Sequence, residues 1–175
     1  MKSSLTAICL TLDLSLGTIS AAWSADFQKG VAAYKSGDYA TALREWTPLA
    51  EQGDAGAQFL IGTMYSEGGI GVPQDDKTAV KWYRLAAEQG SASAQYNLGT
   101  MYGLGQGVIQ DNVYAHMWWY IAASQGNKDA VTNRDIVAGK MTPAQIAEAQ
   151  KLARECVRKK YKGCCLAYRI NGLIS

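Results

Sequence analysis

Four cysteines, a single histidine and two glycine-rich loops are the parts of this 175-residue sequence whose residue types could do chemistry. Cys156, Cys164 and Cys165 crowd the C-terminal end, and Cys9 stands near the other. No Cys-x-x-Cys spacing occurs, so a dithiol redox couple is not indicated. As a structural staple, Cys156 can bridge to Cys164 or to Cys165, pinning the tail to the last helix and leaving one thiol over. His116 lies between Tyr114 and Trp118, far from the cysteines, so no metal-ligand set assembles. No serine or cysteine is placed for that imidazole to activate, and its expected role is that of a partly buried helix residue. The loops 68–73 and 103–107 follow no strand and precede no Lys-Ser/Thr, so they read as helix-to-helix turns rather than phosphate cradles. The residues predict no catalytic, cofactor or metal site, and a protein that is not an enzyme.

What positions these residues is a block that occurs twice, over Ala50–Ala86 and Ala87–Ala122. Gln58, Gly62, Met64 and Tyr65 return 37 residues later as Gln95, Gly99, Met101 and Tyr102. Beyond the glycine-rich loop the offset is 36, and Asp75, Trp82 and Leu85 return as Asp111, Trp118 and Ile121. Repetition at this period means stacked supersecondary units. Asp75 and Asp111 recur as helix caps, not as an acid–base pair.

The units divide the chain into a divergent first repeat at 26–53, full repeats at 54–90 and 91–126, a partial repeat with a capping helix at 127–160, and a tail at 161–175. Each full repeat reads as two helices. In the first, Ala57, Leu60, Ile61, Met64 and Tyr65 form an apolar stripe over about Ala55–Ser66. In the second, Asp75 caps a helix whose inner side carries Ala79, Trp82, Tyr83, Leu85 and Ala86. Gly62 falls mid-helix, where glycine costs about 1 kcal/mol against alanine. Its return as Gly99 predicts close approach by a large side chain, Trp82 or Tyr83 in the first copy. In the divergent unit, Asp38 caps a helix that Pro48 is expected to kink. Trp46, Trp82 and Trp118, spaced 36 and 36, are read as equivalent core positions. Thr142-Pro143-Ala144-Gln145 is a capping-box start for a last helix that buries Ile146, Ala149, Ala153, Cys156 and Val157 and turns Lys151, Arg154 and Arg158 to water.

Net charge is +2, which points to neither nucleic acid nor membrane as a partner. Seven cations between Lys151 and Arg169 face one acid, Glu155; they suit a helix C-terminus or an anionic docking patch. Lys2, the apolar run 5–19 and the small residues Ser20-Ala21-Ala22 predict a signal peptide at 1–22, cleaved within 22–25, and a periplasmic or secreted protein. No other stretch approaches the ~20 apolar residues of a membrane span.

Three segments carry a family resemblance. Val80–Gly90 reads Val-Lys-Trp-Tyr-Arg-Leu-Ala-Ala-Glu-Gln-Gly, Ala94–Tyr102 reads Ala-Gln-Tyr-Asn-Leu-Gly-Thr-Met-Tyr, and Gly105–Asp111 reads Gly-Gln-Gly-Val-Ile-Gln-Asp. They resemble the Sel1-like repeat, a branch of the tetratricopeptide superfamily, and residues 140–155 look like the capping helix of small exported bacterial members. The resemblance implies an all-α fold, a short right-handed α-solenoid of antiparallel helix pairs. It also implies a non-enzymatic module that binds a protein or peptide on the concave face lined by first helices. On that face the positions that vary between copies, or flank those that do, are Phe59, Leu60, Thr63, Tyr96, Asn97 and Thr100, the expected partner-binding residues. A cysteine-rich branch of the family has been linked to β-lactam binding and weak hydrolysis, but its cysteines lie in every repeat and here the full repeats have none.

Overall fold

The computed structural model describes residues 26–164. The expected signal peptide, Cys9, Cys165 and residues 166–175 lie outside them. The described chain forms eight helices: α1 through 26–35, α2 (Tyr39–Glu51), α3 (Ala55–Glu67), α4 (Asp76–Ala87), α5 (Ala92–Leu104), α6 (Asn112–Ser124), α7 (Lys128–Ala138) and α8 (Pro143–Arg158). Consecutive helices pack as antiparallel pairs, α3 on α4 and α5 on α6 most extensively, which makes the fold an α-solenoid.

From α2 onward, each helix starts where the sequence supplies a cap. Asp38, Asp54, Asp75, Ser91, Asp111 and Asn127 all accept a backbone N–H from the first turn of the helix that follows. Thr142 and Gln145 form the reciprocal capping box that opens α8. Between pairs the chain turns at Gly53, Gly90 and Gly126, with φ of 101°, 92° and 93°, a left-handed conformation that other residues rarely adopt. α5 runs through Gly103 to Leu104, longer than expected, and α2 continues through Pro48 to Glu51.

The glycines inside first helices are contact points. A Cβ on Gly62 would lie 2.7 Å from the Tyr83 ring, and one on Gly99 would lie 2.8 Å from the Trp119 ring. So Tyr83, not Trp82, is the side chain that needs Gly62. In the first unit Gly30 meets Trp46 in the same way. Trp46 therefore takes the place of Tyr83 and Trp119, and the offset from the first unit to the second is 37. The caps agree, since Asp38, Asp75 and Asp111 stand 37 and 36 apart. The equal spacing of the three tryptophans crosses two different structural positions.

Burial follows that corrected register. Trp118 is fully buried in the largest core cluster, with Tyr83, Leu98, Met101, Ile121, Ala153 and Cys156. Trp82, its equivalent one repeat earlier, is only half-buried, with the Lys81 ammonium 5.9 Å from its ring centroid. Leu85, expected inside, is exposed. The difference is α8, which packs on α6 and brings Ala149, Ala153 and Cys156 over its outer side. Val157, expected on that buried face, is exposed instead, one residue past the last contact position. Cys156 and Cys164 are joined by a disulfide.

A glutamine relay locks successive pairs together. Gln58, buried in α3, donates to the Ala50 carbonyl at the end of α2, and its own carbonyl accepts from Gln89 beyond α4 at 2.8 Å. One repeat later Gln95 donates to Ala87 and accepts from Gln125 at 2.6 Å. Each unit is thus tied to the one before it and to its own second helix. In α7 the position falls to Val131, which is exposed.

Candidate interaction groove

The first helices carry a seam of polar and aromatic groups. At its centre is the Tyr83 hydroxyl, which reaches from α4 between α3 and α5 and donates to Thr63 Oγ1 at 3.2 Å. Burial raises its pKa; the hydrogen bond to Thr63 and the nearby polar groups of Asn97 and Ser66 oppose the shift, and the Glu67 carboxylate adds to it. Toward the first unit the seam continues to Tyr34 on α1, whose pKa is raised by burial first and by Glu67 second. Toward the last unit Tyr96 Oη accepts from Asn133 Nδ2 on α7 at 3.2 Å.

The six residues singled out from the sequence are all half-buried. They do not form one patch of free side chains. The Phe59 ring sits 6.0 Å from the Tyr83 ring, and Leu60 packs against the core of the first unit. Thr63 and Thr100 donate to the carbonyls of Phe59 and Tyr96 within their own helices. The Tyr96 carbonyl also accepts from Trp119 Nε1 at 3.2 Å. Asn97 and Thr63 are brought together, on either side of Tyr83. Tyr83 itself was not among the expected site residues. Its helical spacing placed it in the core, and nothing in the spacing says where a hydroxyl at the end of a buried ring will emerge.

His116 is buried rather than partly exposed, stacked 6.4 Å from the Tyr120 ring, with no hydrogen-bond partner on Nδ1 among the described residues. Burial lowers its pKa, Arg134 lowers it further, and Asp135 opposes them. The Arg134 guanidinium lies over the same Tyr120 ring at 5.9 Å. A folded-state pKa below the ordinary value means that the folded protein resists protonation more than the unfolded chain does. The stability is present above the unfolded pKa of ~6.5 and is lost as pH falls through the lowered folded value. Thermal melts between about pH 7 and pH 5 should show a fall in Tm that His116→Phe reduces. An equal fall in both proteins would remove His116 as its cause.

A family model for the Sel1 repeat matches residues 55–91 and 92–127. Among solved structures, the chain is similar to a protective antigen of uropathogenic Escherichia coli strains that displays an SLR fold, with 29% identity and a TM-score of 0.74 over 87% of this chain. It is also similar to a Sel1 repeat protein from Oxalobacter formigenes, with 36% identity and a TM-score of 0.58 over 62% of this chain. The chain spans 33% of the first of those chains and 44% of the second. No curated protein matches it.

Proposed function

Because the chain is a Sel1 repeat protein, built on a repeat of the protein-interaction type, we infer that it is a non-catalytic module that holds an extended segment of another protein along the first helices of its stack, on their concave side. The observation that carries this is the Tyr83 hydroxyl, set at the junction of α3 and α5 beside Thr63 and Asn97. Trp46 and Trp119 hold the equivalent positions and carry no hydroxyl, so Tyr83 offers its polar group once, midway along the first helices, where the backbone of an extended peptide can meet it. Half-buried aromatic rings on those helices (Phe59 in one unit, Tyr96 in the next) supply the apolar contact that dominates binding energy at interfaces.

The test uses a partner obtained by affinity capture with the intact protein. Tyr96→Ala combined with Asn97→Ala should weaken its binding by about tenfold or more, the scale of a hot-spot loss. Asn97→Ala alone, which leaves the Tyr96–Asn133 contact in place, should weaken it by a smaller factor, with only the small fall in Tm expected from losing its contact with the Tyr83 hydroxyl. Unchanged affinity in both variants would place the recognition surface elsewhere.

A further inference from the structure

The end of α8 carries a loop that is anchored on the core through Cys164 and Tyr161 and takes no part in the groove. Residues 157–163 are closed into a ring by the Cys156–Cys164 disulfide. Within it stand Arg158, Lys159, Lys160 and Lys162, and no acid. None of the four makes an ion pair among the described residues. A helix C-terminus presents about half a negative charge, which one cation offsets. Four cations on one short ring therefore leave an excess that repels itself and costs stability.

The backbone of the ring is held in an unusual shape. Lys160 and Tyr161 have φ of 51° and 66°, a left-handed pair without glycine. Two constraints keep them there besides the disulfide. The Tyr161 N–H donates to the Cys156 carbonyl at 2.9 Å, and the Tyr161 ring lies over Gly90, 3.1 Å from where a Cβ would stand. Strain of this kind, held by its surroundings, points to a function for the conformation it enforces. That conformation makes an open pocket of about 500 Å³ between the ring and the end of α4, lined by Glu88, Gln89, Val157, Lys160, Tyr161 and Lys162. Val157 is an exposed apolar side chain at its wall.

We propose that this pocket docks an acidic segment of a partner protein, with Lys160 and Lys162 taking its carboxylates and Val157 and the Tyr161 ring taking an adjoining apolar side chain. The pocket is shallow and open, and its apolar wall lies beside the lysines, so one segment can meet both. A uniformly anionic bilayer would press its charge on Glu88 as well, whereas a segment of mixed side chains need not. Glu88 sets a polarity across the pocket: acidic residues of the segment belong on the ring side, and a neutral or basic residue belongs opposite Glu88. The clamped ring lowers the ordering that binding would otherwise require. The site uses none of the groove residues, so it stands or falls separately from them.

The experiment is fluorescence anisotropy on the intact, oxidised protein with a labelled peptide of glutamates interrupted by leucines. Lys160→Gln with Lys162→Gln should weaken binding about tenfold, as two partly exposed charge contacts would. Lys128→Gln with Lys140→Gln removes the same charge from exposed positions outside the pocket and should leave the affinity unchanged. Equal losses in the two double variants would overturn the site, leaving only bulk charge. Failure of the wild type to bind the peptide, or binding of phosphatidylserine vesicles or inorganic phosphate in preference to it, would overturn the assignment of its occupant.

Discussion

Trp118→Ala is expected to destabilise the protein by about 3–5 kcal/mol, the range for emptying a buried tryptophan site. Trp82→Ala, at the equivalent position one repeat earlier, is expected to cost about 1 kcal/mol. Trp118 is fully buried in the largest core cluster, whereas Trp82 is half-buried beside Lys81. Denaturant unfolding of the two variants reads the difference directly. Trp118 also buries an indole N–H that has no partner among the described residues. Trp118→Phe removes that unpaired donor while keeping an aromatic ring, so its cost should fall well below that of alanine. If Trp82→Ala costs as much as Trp118→Ala, α8 is not what distinguishes the two positions.

The second large effect is expected at the glutamine relay. Gln95 is fully buried, its amide nitrogen facing the Ala87 carbonyl at 3.2 Å and its oxygen accepting from Gln125. The arrangement is forced, because a backbone carbonyl can only accept. Gln95→Glu keeps the shape and replaces the donor with a carboxylate oxygen aimed at that carbonyl. The expected loss is about 3 kcal/mol at neutral pH, since a buried charge is left facing a like-signed dipole. The sign with pH is distinctive. Burial would raise the new carboxyl's folded pKa above its unfolded ~4.3, so the folded state holds the proton more tightly. The deficit should therefore shrink as pH falls through the raised value, because a protonated carboxyl can donate to Ala87 again. A deficit that is flat with pH would mean that no charge is being buried. Gln58→Glu should behave in the same way, given the same pair of bonds to Ala50 and Gln89.

These two experiments separate the legible from the illegible. The helices and their ends were open to reading because caps and stops act locally. An aspartate three residues before a free N–H, or a glycine at positive φ, needs no distant partner to do its work. The repeat exposed Gly62 and Gly99 as contact points for the same reason: a glycine kept where it weakens a helix must be answering a neighbour. The recurring Gln58 and Gln95 were visible as repeated letters, yet their bonds to Gln89 and Gln125 join residues about thirty positions apart and came only with packing. Exposed positions on the first helices were harder still, because variation between copies does not tell a free side chain from one bonded to its own helix, as Thr63 and Thr100 are.

The tryptophans and the cysteines mark the boundary. By itself the sequence determined an all-helical stack, its two full repeats and the start of the helix that ends it, because all of these rest on period, spacing and residue type. Only the tertiary structure decided that Trp46 belongs with Tyr83 and Trp119, that Trp118 is buried while Trp82 is not, and that Cys156 closes its ring with Cys164. The physical reason is the same in each case. Burial and pairing depend on what lies across from a side chain, and α8 returns to α6 across a separation that no local pattern records.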